Sequence, residues 1–110
     1  MDDKESTRTI YGFENGDAFD LFYDGLINLL EAHPDEAVAL LDKSIVMDKN
    51  NQAAYLYRVM AGEVIGEHPD KLKGLCVDWV AAAKAKGIER YIEWSNKALK
   101  FYDTGWKNYE

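Results

Sequence analysis

Apolar positions recur every three to four residues in five stretches of this chain, separated by polar, glycine or proline punctuation, a pattern that predicts helices. The first predicted helix runs from Asp17 to Ala32. Its polar residues, Asp20, Asp24, Asn28 and Glu31, are spaced four, four and three apart, so they form one narrow stripe. The remaining residues from Ala18 to Leu30 are apolar or glycine, and such a helix needs cover on more than one side. His33-Pro34 ends it. Proline suits the first turn of a helix, where its missing N–H costs nothing, and Asp35 and Glu36 then lie at the positive end of the helix dipole. A second helix is predicted from Pro34 to Met47 and a third from Gln52 to Ile65, with Asp48-Lys49-Asn50-Asn51 as the turn between them. His68-Pro69-Asp70 opens a fourth that reaches Lys86 and stops at Gly87. The fifth runs from Ile88 to Tyr102. The expected fold is all-α, with about five helices. Residues 1–16 read as a flexible lead-in carrying the apolar cluster Ile10, Tyr11 and Phe13, residues 17–102 as the helical domain, and residues 103–110 as a polar tail that contains Trp106.

The tripeptide His-Pro-Asp occurs at 33–35 and again at 68–70, each time opening a helix that follows another helix. A helix-turn-helix unit of about 34 residues is the tetratricopeptide period. Ala18 to Asn51 resembles one complete repeat of that family. Gly25 matches its close-packing glycine, Glu36-Ala37 and Ser44 its small positions, and Leu41 the large apolar position between them. Asp48-Lys49-Asn50-Asn51 resembles the family's Asp-Pro-Asn-Asn turn, with Lys49 in place of proline. Ala54 to Arg58 is similar to the opening of a second repeat, and Gly66-Glu67 to its Gly-Asp turn. Lys73 to Trp79, followed by Ala81-Ala82-Ala83 and Gly87, resembles the terminal repeat of bacterial members. In that register the small position moves from Ala37 to Leu75, three residues beyond the tripeptide spacing, which implies that the fourth helix starts a turn early. The resemblance implies two antiparallel helix pairs plus a C-terminal capping helix, with Ala37, Leu41, Tyr55, Leu75, Cys76 and Trp79 in the core.

Composition narrows the setting. Apolar residues make up 47% of 110, enough for one core in one domain. No 18-residue apolar run is present, so no membrane span is expected. The polar, acidic start reads as no secretory signal, and a single cysteine, Cys76, allows no internal disulfide, so a cytoplasmic location is expected. The net charge of −7 is uneven: residues 1–51 hold twelve acidic and four basic residues, and residues 52–110 eight and nine. Without a basic patch, a nucleic-acid partner is not expected. The acidic half suits a basic or amphipathic partner surface, and equally serves solubility.

Chemistry-bearing motifs are few. No Gly-rich phosphate loop, nucleophile elbow or zinc-protease motif occurs. His33 and His68 lack metal-ligand spacing, Cys76 on an apolar helix face reads as a buried structural thiol, and the His-Pro-Asp tripeptides read as helix starts. No catalysis, cofactor or metal is expected. In the tetratricopeptide family the first helix of each pair lines a concave groove. Carried onto this chain, that groove would be formed by Phe19, Phe22, Leu26, Leu29, Leu56 and Met60, without the basic residues that clamp a peptide carboxylate. Its cover could be the Ile10–Phe13 segment, a foreign chain or a second copy. The expectation is a small non-catalytic protein- or peptide-binding module of adaptor, chaperone or immunity type. The alternative is a self-associating, homodimeric structural module.

Overall fold

A computed structural model describes residues 3–109. Six α-helices follow one another: α1 (Asp3–Tyr11), α2 (Gly16–Leu30), α3 (Pro34–Met47), α4 (Gln52–Val64), α5 (Pro69–Lys86) and α6 (Glu89–Asp103), then a 3-10 turn over Gly105–Tyr109. No strand occurs among the described residues, and no described helix is long and apolar enough to cross a membrane. The all-α class holds, with six helices in place of about five. The added helix is α1, inside the expected lead-in. It has no apolar stripe, and polar contacts fasten it at both ends. Arg8 donates from Nε to the Phe13 carbonyl at 3.3 Å and from Nη2 to the Glu14 carbonyl at 3.1 Å, Lys4 pairs with Asp20, and Asn51 Nδ2 donates to the Tyr11 carbonyl. The polar tail likewise winds back, placing Trp106 edge-on to His68 with ring centroids 6.4 Å apart.

The helix starts follow capping chemistry. Asn15 accepts from the Ala18 N–H, Asn51 from those of Ala53 and Ala54, and His68 Nδ1 from that of Asp70, each satisfying amides that the first turn leaves unpaired. Pro34 and Pro69 both occupy the first helical turn. Two residues past α2 and α4, the chain turns through left-handed backbone, at Ala32 (φ 65) and Gly66 (φ 80).

Each helix from α2 onward packs on the next. α2 and α3 pack tightly: a Cβ on Gly25 would lie 2.9 Å from Leu41 Cγ, and Ser44 Oγ donates to the Ala18 carbonyl at 2.8 Å. Burial recurs with the tripeptide's 35-residue spacing: Ala18 and Ala53, Ala37 and Leu72, Leu41 and Cys76, Ser44 and Trp79 are all buried. Leu75, expected in the core, is only half-buried, and Leu72 takes its place. Both His-Pro helices start at their proline, and α5 is about one turn the longer, with 18 residues against 14 in α3.

Candidate functional site

The six residues expected to line one groove do not share a surface. Phe19 and Phe22 are 3% and 0% exposed. Their cover is the chain's own N-terminal segment: Phe13 stacks on Phe22 at 4.8 Å and on Phe19 at 5.5 Å, and Tyr11 meets Phe22 edge-on at 5.2 Å. The Tyr11 and Tyr57 hydroxyls lie 2.9 Å apart. Burial pushes the Tyr57 phenol up to about 12, and that hydrogen bond adds to it. Leu26 and Leu29 are half-buried against the same cluster. Ile10, grouped with Tyr11 and Phe13 in the sequence, instead faces solvent.

Leu56 and Met60 belong elsewhere. With Val59 and Glu63 they form the α4 wall of an open groove of about 460 Å³. The facing wall is α6, with Trp94, Lys97, Ala98 and Phe101, and Trp79 of α5 lies at its base. Each wall repeats at helical spacing, so one ridge of each helix faces the gap. Met60 is 46% and Trp94 44% exposed. Polar groups are few and mostly engaged. Glu63 Oε2 accepts from the Tyr102 hydroxyl at 2.9 Å, and Lys97 pairs with Glu93 at 2.8 Å. Burial, then the bond to Glu63, raises the Tyr102 phenol. The Trp79 indole N–H is buried without a partner. A second concavity of about 410 Å³, between Ile45, Lys49, Asn50, Tyr55 and Asp78, mixes charge with apolar surface and has no comparable pair of exposed large side chains.

Sequence reasoning missed the ion network beneath α4. Arg58, 1% exposed, donates from Nε to Asp42 Oδ1 at 2.7 Å and from Nη1 and Nη2 to the two Glu67 oxygens at 2.5 and 2.9 Å. Lys71 Nζ lies 2.6 Å from Glu67 Oε2. These bonds hold the Glu67 carboxyl at about 2, Arg58 contributing most. Gly62 makes room, since a Cβ there would collide with Glu67 Oε1 and lie 2.7 Å from Arg58 Nη1. The arginine of α4 is thus consumed inside the fold and presents nothing to the groove. An arginine four residues before a glycine in an apolar helix was the available signal. Cys76 is fully buried, and burial pushes its thiol up to about 12, so it stays protonated at neutral pH.

Among the described residues no cluster of His, Cys, Asp and Glu is arranged to hold a metal ion. The groove between α4 and α6 sets exposed large apolar side chains on two facing walls. No protein-family model matches the chain, and comparison with curated proteins and with solved structures gives no match either.

Proposed function

We propose that this chain is a small non-catalytic module that binds a protein or peptide in the groove between α4 and α6. One observation carries the reading: Met60 and Trp94 stand about half-exposed on facing walls of a groove that is mostly apolar, with its Glu63 and Lys97 held by Tyr102 and Glu93. Burying one such side chain contributes about 1.5–3 kcal/mol, so an occupant has apolar area to gain on both sides. The binding surface expected from the sequence shifts accordingly. It keeps Leu56 and Met60, gains the α6 wall, and leaves Phe19 and Phe22 to the core. The tetratricopeptide-like reading goes with it, supported by the 35-residue recurrence of helix starts and of buried positions. A buried lone cysteine suits a reducing cytoplasm.

Selection of a random phage-displayed peptide pool on the purified chain tests this. Binders should lose at least tenfold affinity on Met60→Glu and on Trp94→Glu, and be indifferent to Ile10→Glu, which lies outside the groove. Binders insensitive to both groove variants would sink the reading.

Self-association is the second reading. A separate apolar surface favours it: Leu21, Val46 and Met47 border an open concavity of about 370 Å³ on α2 and α3. Val46→Glu should then change the sedimentation coefficient, whereas a monomeric wild type would remove this reading.

A further inference from the structure

We infer that the occupant of the α4–α6 groove is an amphipathic α-helix of a partner protein, two to three turns long, with acidic residues on the flank that meets α6. The inference rests on the reading of that groove as the binding surface.

α4 and α6 both pack on α5. They run the same way, because Tyr102 near the end of α6 bonds Glu63 near the end of α4, while Tyr91 near the start of α6 shares a buried cluster with Tyr55 near the start of α4. Three helices then occupy three corners of a bundle, and the groove is the fourth. Its α4 wall, from Leu56 to Glu63, spans about 10 Å, two helical turns at 1.5 Å per residue. Ridges at i, i+3, i+4 and i+7 on both walls are the pattern into which the side chains of another helix pack.

Backbone chemistry decides between helix and extended peptide. An extended segment brings unpaired N–H and C=O groups, which need partners once buried. This groove has no strand edge and no Asn or Gln in its lining. Its Glu63 and Lys97 are already engaged. A helix pairs its own backbone and needs only apolar contact.

Charge sets the flank. At helical spacing, Arg90 continues the edge of α6 that carries Trp94 and Lys97, whereas the outer edge of α4 is apolar, with Met60 and the exposed Val64. Arg90 makes no ion pair among the described residues; its guanidinium lies 4.9 Å over the Tyr91 ring. A partner helix with acidic residues along that edge gains Arg90 as a counter-ion and shares Lys97 with Glu93.

The face of this chain that comes nearest to the description is on α2, where Tyr23, Ile27 and Leu30 lie beside Asp20, Asp24 and Glu31. Tyr23 and Ile27 are already half-buried, with Tyr23 packed on Phe19 and under Lys4. The occupant is therefore foreign, and a second copy becomes an outcome of the test.

Two peptide pools make that test. One fixes apolar residues at i, i+4 and i+7 with randomised helix-forming positions between; the other places a proline at every fourth position. Each is selected on wild type and counter-selected on Met60→Glu. Groove-dependent binders should come from the helical pool. They should lose at least tenfold affinity when their acidic residues become lysine, and Lys97→Glu with Arg90→Glu should recover at least half of that loss in log units. Groove-dependent binders from the proline pool alone would overturn the helix and leave the binding reading standing. Equal affinity after the charge reversal would overturn the acidic flank. No groove-dependent binder from either pool, or a wild-type dimer that Met60→Glu converts to monomer, would overturn inference and reading together.

Discussion

Glu67→Gln keeps the side chain's shape and removes its charge. In the fold both carboxylate oxygens are engaged by Arg58, and one also by Lys71. The Arg58 side chain is 1% exposed and that of Glu67 8%, so water cannot replace the lost partner. Breaking a buried pair costs about 3–5 kcal/mol, because the remaining charge is left uncompensated. Asp42 stays on Arg58 Nε at 2.7 Å, which places the expected loss near the lower end, about 3 kcal/mol. Titration gives the same size: a carboxyl held at about 2 instead of 4.5 corresponds to about 3 kcal/mol. The folded pKa lies below the unfolded one, so this stabilisation is complete above pH 4.5 and is lost as the pH falls toward about 2. Urea unfolding of wild type and variant reads it. The gap should be about 3 kcal/mol at pH 7 and shrink to about 1 kcal/mol at pH 3. The exposed carboxylates of Glu93 and Asp103, also lowered by lysine partners, are common to both proteins and drop out of the difference. A gap below about 1 kcal/mol at pH 7, or one constant from pH 7 to pH 3, would refute the network's role.

Other substitutions separate packing from surface. Gly74→Ala in α5 meets nothing within 4 Å and should raise stability by about 0.5–1 kcal/mol, whereas Gly25→Ala drives a Cβ into Leu41 and should lower it by about 1–3 kcal/mol in the same urea assay. Ala32→Gly relieves left-handed backbone in a non-glycine residue and should raise the melting temperature, by a gain of about 1 kcal/mol. Phe22→Ala should cost about 3–5 kcal/mol in chemical unfolding, while Met60→Ala at the half-exposed groove wall should cost well under half as much.

Helix boundaries are legible in this chain because their signals are local. Proline at the first turn, Asn51 before Gln52 and Gly87 after Lys86 each act within one turn, and all five expected helices lie within two residues of their observed ends. α1 is not legible, because it has no apolar periodicity and is held by an arginine reaching back over a glycine turn and by contacts to Asp20 and Asn51. The division of the expected groove has the same origin. Helical spacing puts Phe19, Phe22, Leu26 and Leu29 on an apolar face, but spacing cannot say that Tyr11 and Phe13 fold back over Phe19 and Phe22 while their neighbour Ile10 does not. The α6 wall escapes a reading that treats the last helix only as a cap. Trp94 and Phe101 look like ordinary apolar positions until α5 sets α6 beside α4. Leu75 shows the opposite error: a resemblance in residue types put it in the core, where Leu72, one turn earlier on the same helix, is the buried leucine.

The three tryptophans offer the most direct test of the groove. Trp94 stands on its wall, Trp79 at its base, and Trp106 outside it against His68. Titrating a groove-selected peptide into the isotope-labelled chain and following the three indole N–H signals separates the surfaces. A peptide seated between α4 and α6 shifts the Trp94 signal and leaves Trp106 unmoved, and neither changes when the peptide is added to Met60→Glu. A shift of Trp106 with Trp94 unmoved, or the same Trp94 shift in Met60→Glu, would contradict binding in this groove.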